Sequence, residues 1–160
     1  MMKTCEALRR RMFALAGCDW TGEVCFKEGE ELSLLMDGER LTVEAPDISA
    51  AARGLFLAAC ALRDGKDIPE LHQTRHIASC GMMLDMSRGG VMTVEAVKGM
   101  IDAHAALGLN LMMLYTEDTY TVPEAPYLGY LRGRYTEKEL REMDDYAAES
   151  GVELVPCVQT

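Results

Sequence analysis

Asp85 and Arg88 stand just behind the apolar run Met82-Met83-Leu84: a carboxylate, then a guanidinium with donors in a fixed fork. A second apolar run, Leu109 to Tyr115, is followed by Glu117, Asp118 and Tyr120, and a third, Val152 to Val158, by Gln159. In parallel α/β folds the loops after the carboxyl ends of strands collect the functional groups. By that rule these residues are the candidates for chemistry. The segment 116–135, at about twenty residues, is longer than a routine βα connection, and loops of that length are more often functional than structural. It also carries Tyr127, Tyr130 and Tyr135 with Arg132 and Arg134. Aromatic faces with hydrogen-bonding tips and a few charges suit a neutral polar ligand such as a sugar.

Each candidate has a plainer reading. Asp85 can fix its loop or pair with Arg88, since buried charges are usually paired. Glu117 and Asp118 can solvate a loop. Arg132-Gly133-Arg134 reads as an exposed turn, salt-bridged to the acidic helix after it. Asp85, Glu117 and Asp118 are also a set of oxygen ligands for a hard cation. His72, His76 and His104 are scattered, as surface or supporting residues rather than metal ligands are.

The elements that must position these groups come in two kinds. Residues 4–16 read as an amphipathic helix with Cys5, Leu8, Met12 and Leu15 on one face. Strands follow near 22–27, 31–36 and 40–45, the last two joined at Asp37-Gly38 as a hairpin. A helix over 48–63, capped by Asp47 or Ser49, carries Ala52, Leu55, Phe56, Ala59 and Leu62 inward and closes at Gly65. This predicts a small antiparallel sheet backed by helices, an α+β module over residues 1–75. Residues 66–78 are polar, contain Pro69 and read as a linker.

From residue 76 onward strands and helices alternate. Thr93 caps a helix bearing Val94, Val97, Ile101 and Ala105 that stops at Gly108. Thr136-Glu137-Lys138-Glu139 is a capping box, opening a helix with Leu140, Met143 and Ala147 inward and ended by Gly151. Such alternation demands a parallel sheet with right-handed crossovers. The last run reads as an interior strand needing neighbours on both sides, so the chain is expected to be the front part of a longer protein.

Composition narrows the field. The 160 residues carry a net charge of −10, which opposes binding to nucleic acid or anionic lipid. Six cysteines occur without a CxxC pair or zinc-type spacing, as in a reduced, cytoplasmic chain. Leu15-Ala16-Gly17-Cys18 matches a lipoprotein cleavage box behind Arg9-Arg10-Arg11, but the apolar stretch between, Met12 to Ala16, is shorter than the roughly 7–15 residues an export signal needs.

The ordered segments Leu84-Asp85-Met86-Ser87-Arg88, Gly108-Leu109-Asn110, Tyr115-Thr116-Glu117-Asp118-Thr119-Tyr120, Arg132-Gly133-Arg134-Tyr135-Thr136 and Pro156-Cys157-Val158-Gln159-Thr160 resemble glycoside hydrolase family 20, the β-N-acetylhexosaminidases. The resemblance covers about residues 79–160. More loosely, the preceding module resembles the family's small non-catalytic domain. The resemblance implies an α/β fold: an α+β N-terminal domain, then, over residues 76–160, the first three β/α units of a (β/α)₈ TIM barrel that typically needs about 250 residues. It implies that Arg88 grips hydroxyls of the terminal sugar, that Tyr115, Glu117 and Tyr120 lie at substrate-contact positions, and that Asp85 and Asp118 support from behind. The substrates implied are glycans ending in N-acetylglucosamine or N-acetylgalactosamine, without metal or other cofactor. The family mechanism is substrate-assisted, with an Asp-Glu pair after the fourth strand, so no catalytic residue is expected within this chain. The chain departs from the family at Cys80, before Gly81, where many members have arginine, and at Met113 and Tyr115, where many have histidines. That points to a divergent bacterial branch. A non-catalytic sugar-binding or interaction protein derived from a barrel fragment is the alternative. Open sheet edges and an uncovered apolar face predict self-association.

Overall fold

The computed structural model describes residues 2–158; Gln159 and Thr160, and with them the expectation for Gln159, lie outside. The elements are α1 (Met2–Ala16), β1 (Glu23–Glu28), β2 (Leu32–Asp37), β3 (Arg40–Ala45), α2 (Ile48–Arg63), β4 (His72–Gln73), β5 (Gly81–Asp85), α3 (Val94–Leu107), β6 (Leu111–Tyr115), α4 (Glu137–Ala148) and β7 (Glu153–Cys157). Two sheets result, one ordered β1-β3-β2-β4, the other β5-β6-β7.

The local signals set most boundaries. Asp47 caps α2 by accepting from the Ala50 amide, and Thr93 caps α3 by accepting from that of Ala96. Thr136 and Glu139 form the expected reciprocal capping box. Gly38, at φ +59°, turns the β2–β3 hairpin, with the positive φ on the first of two loop residues as a II′ turn requires.

The first sheet is mixed rather than antiparallel. β1 lies parallel to β3, while β2 and β4 complete antiparallel pairs. The connection after β1 is too short to do anything but step over the end of β3, where the Gly29 amide donates to the Ala45 carbonyl at 3.2 Å. β4 falls inside the expected linker. His72 and Gln73 add a short edge to β2, and Arg53 of α2 donates to the Gln73 side chain at 2.7 Å.

Helix α1 buries Leu8, Met12, Phe13 and Ala16 and leaves Leu15 45% exposed, so its inward face is rotated from the expected stripe. The cause is visible on either side of it: Phe13 leans on Trp20, and Arg11 reaches α3 and α4. α2 buries Ala52, Leu55 and Ala59 as expected. At Gly54 an added Cβ would meet Leu32 at 2.7 Å, so the absent side chain lets the helix lie close on the sheet. One buried cluster runs from Leu8 through Leu55 and Ile101 to Met143, joining both sheets' helices.

In the second sheet all pairs are parallel, and the register sets Asp85 beside Tyr115 and Tyr115 beside Cys157. Met112 and Leu114 are buried under α3 and α4, while the opposite face carries Met83, Leu111, Met113 and Val155, none of them buried. No described helix is long and apolar enough to cross a membrane.

Candidate functional site

The strand ends place the site. Asp85, the last residue of β5, folds back on its own loop: its Oδ1 accepts from the Ser87 amide at 2.8 Å, the Ser87 hydroxyl at 2.7 Å and the Arg88 amide at 3.3 Å. The Ser87 hydroxyl and amide, more than any other neighbour, hold the Asp85 carboxyl below its ordinary range. Its partners are therefore the loop's own donors rather than the Arg88 side chain.

Arg88 projects from that turn, 69% exposed. Its guanidinium lies 3.5 Å from Glu117 and 5.6 Å from the centre of the Tyr115 ring. The Tyr115 hydroxyl donates to the same Glu117 oxygen at 3.2 Å. Burial, then the bond to Glu117, pushes the Tyr115 phenol up, so it stays a neutral donor. Glu117 takes φ +47°, a left-handed conformation uncommon for a residue with a side chain. The turn aims its carboxylate back over the strand ends. Arg88, Tyr115 and Glu117 thus converge, with most of the Arg88 donors open to solvent.

Asp118 pairs instead with Arg132, with 2.9 Å between Nη1 and Oδ1, although off the line of a directed hydrogen bond. Arg134 donates to the carbonyls of Pro126 and Leu128. Neither arginine pairs with α4, as the turn reading expected; both fasten their own loop. Tyr120 is set apart. It lines an apolar cleft with Leu140, Leu154 and Pro156 rather than the depression of about 460 Å³ that holds Arg88, Glu117 and Arg132.

Two anchors of this loop were missed in the sequence. Thr119 is fully buried and donates to the Thr116 carbonyl at 2.7 Å, with the Met86 carbonyl at 3.2 Å. Tyr135 is also buried, and its hydroxyl donates to the Met92 carbonyl at 2.5 Å. Burial pushes its phenol up to about 12. Backbone bonds from Tyr135 to Thr119 and from Thr121 to Tyr135 close the loop at its base. Tyr135 is thus a post rather than a ligand surface. Its place directly before the Thr136 cap was the available signal.

Among the described residues, no three of His, Cys, Asp and Glu are gathered closely enough to hold a metal ion, so Asp85, Glu117 and Asp118 do not form a ligand cage. His104 is buried rather than superficial, with Nδ1 2.8 Å from the Met100 carbonyl.

The fold and this strand-end site define an α/β protein with a cluster of polar side chains at the carboxyl ends of a parallel sheet. A β-N-acetylglucosaminidase of glycoside hydrolase family 20 superposes with a TM-score of 0.73 at 26% identity, over 98% of this chain and 36% of its own. The exo-β-N-acetylglucosaminidase of Vibrio harveyi gives 0.70 at 19% identity, over 96% of this chain and 30% of its own. The Flavobacterium johnsoniae chitobiase gives 0.70 at 24%, over 94% and 28%. The chain is thus similar in fold to these glycoside hydrolase family 20 enzymes and spans roughly a third of their length. No family model matches the sequence, and no curated protein does.

Proposed function

We propose that these 160 residues are the N-terminal part of a β-N-acetylhexosaminidase. In this reading residues 1–75 are a non-catalytic α+β module and 76–160 open a (β/α)₈ catalytic barrel. The observation that carries it is the convergence of Arg88, Tyr115 and Glu117 at the carboxyl ends of adjacent parallel strands, in a fold held in common with N-acetylglucosaminidases. Arg88 is braced by Glu117 and directs its remaining donors at hydroxyls of a terminal N-acetylhexosamine, of the gluco or galacto series. Asp85 sets the turn that presents Arg88. Asp118 and Arg132 hold the loop beside it, and Tyr120 borders the next cleft.

The reaction assigned is hydrolysis with retention. The acetamido oxygen of the substrate attacks the anomeric carbon while an aspartate orients it and a glutamate protonates the leaving oxygen. That Asp-Glu pair is assigned to sequence beyond residue 160. A cytoplasmic setting accords with the free thiols of Cys18, Cys25, Cys60, Cys80 and Cys157.

The test is hydrolysis of an aryl N-acetylglucosaminide. The 160 residues alone release no sugar, whereas the reading frame followed onward encodes an Asp-Glu pair and its product is active, with a raised KM in Arg88→Ala. Release by the 160 residues alone, or onward sequence without the pair, overturns the assignment.

A further inference from the structure

Two donors share one oxygen at the strand ends. The Tyr115 hydroxyl donates to Glu117 Oε1 at 3.2 Å, and Arg88 Nη2 stands 3.5 Å from the same atom. An arginine and a carboxylate left to themselves close to two parallel bonds of about 2.7–2.9 Å. Here one nitrogen reaches one oxygen at the outer limit of a hydrogen bond, and the guanidinium stays 69% exposed. Tyr115 meets both members of the open pair, because Arg88 also lies 5.6 Å from the centre of its ring. The backbones on either side are set: Asp85 binds the Ser87 and Arg88 amides, and Glu117 takes φ +47°.

We infer that Tyr115 is a positioning residue: by occupying Glu117 Oε1 it keeps the carboxylate from closing on Arg88, so that the guanidinium meets a ligand with its donors unspent. A closed fork would consume two of the donors that a sugar hydroxyl needs. The inference rests on the Arg88 reading and adds to it a control over how much of Arg88 is offered. Tyr115 is also a point at which the chain departs from the resembled family. The arrangement depends on the phenol proton. Burial first, then the bond to Glu117, keeps that proton in place beyond the ordinary value of about 10, against the pull of Arg88. The charged groups that face the phenol are Asp85 and Arg88, from β5 and the turn after it, and Glu117 from its own loop; Cys157 of β7 stands beside Tyr115 in register.

The experiment is carbon and nitrogen NMR of the 160-residue chain, from neutral pH into alkali, reading Tyr115 Cζ, Glu117 Cδ and the Arg88 guanidinium. The three side chains are expected to move together, with one midpoint above the ordinary phenol value of about 10. In Y115F, Glu117 and Arg88 lose that step. At neutral pH their pair closes, and the Arg88 Nη resonances, averaged in the unaltered chain, separate as rotation about Cζ–Nη slows. That neutral comparison decides the matter even where alkali unfolds the chain. C157S keeps the shared step; its loss there would assign the step to the thiol and overturn the inference. An Arg88 signal that ignores the Tyr115 midpoint, or Nη resonances that stay averaged in Y115F, overturns it too. Neither readout involves sugar, so the hydrolysis assay on Arg88→Ala judges the Arg88 reading separately.

Discussion

Arg11 stacks its guanidinium 3.5 Å above the ring of Tyr146, although 135 positions separate them in the chain. Around that contact Arg11 also meets Asp102 at 2.6 Å, the Ser150 hydroxyl at 2.8 Å and the Tyr146 carbonyl at 3.1 Å. Tyr146 in turn donates to the other Asp102 oxygen. Burial foremost, with the bond to Asp102, pushes the Tyr146 phenol up to about 12 against the opposing pull of Arg11. The first helix is thereby bound to the two helices that cover the parallel sheet.

Replacing Arg11 by Met leaves Asp102, mostly enclosed, with the Tyr146 hydroxyl but without its cation. Stability falls by about 3 kcal/mol, the lower end of what breaking a buried ion pair costs. Urea unfolding measures this, and R11M/D102L recovers part of the loss because no lone charge then remains. A loss confined to a few tenths of a kcal/mol in R11M would mean that apolar packing alone joins the two sheets.

Asp85 makes the turn at Arg88 sensitive to acid. Its carboxyl is held below the ordinary range in the folded chain, chiefly by Ser87, so its contribution is complete above the unfolded value of about 3.9. It is lost as pH falls through the lower folded value. The Ser87 and Arg88 amide resonances should move together in that acid window, and D85N should abolish the shared transition. Ser87 and Arg88 amides that titrate independently of each other would contradict a turn held by Asp85.

Tyr135→Phe removes the donor to the Met92 carbonyl and leaves a half-buried acceptor unmet. The expected cost is about 1–3 kcal/mol. Because Tyr135 closes the base of the loop, hydrogen exchange should quicken at Thr119 and Thr121 while β6 amides stay protected. Uniform acceleration across the chain would show that Tyr135 supports the whole fold rather than the loop.

The sheet β5-β6-β7 leaves its face of Met83, Leu111, Met113 and Val155 incompletely covered, and β5 and β7 are unpaired on their outer sides among the described residues. The 160-residue chain should sediment as larger species at rising concentration. Met113→Lys, a charge at the centre of that face, should move it toward monomer. A concentration-independent monomer for the unaltered chain would refute this.

Local features were readable and distant pairings were not. Asp47, Thr93 and Thr136 declared their helices because a cap acts within three residues of itself. The period of Leu41 and Val43 declared a strand, but nothing in it says that β1 lies parallel beside β3; that follows from a short connection stepping over a strand end. Arg88, Tyr115 and Glu117 were singled out because the strand-end rule needs only the strands, and the parallel register brings the three side chains together. Arg11 was invisible within Arg9-Arg10-Arg11, since its partners arrive only when α3 and α4 are built. Arg132 and Arg134 were assigned to the helix after them because sequence nearness favours that helix, whereas the folded loop offers closer acceptors.

Glu117 and Leu131 are the only described residues other than glycine that hold a positive φ, and both belong to the loop after β6. Each such position costs on the order of 1–3 kcal/mol. Culturing cells that depend on this protein at rising temperature would put pressure on both sites, with opposite results. Leu131 should give way early to glycine or asparagine, whereas Glu117 should persist, because the same backbone bend that strains it also aims its carboxylate at Arg88.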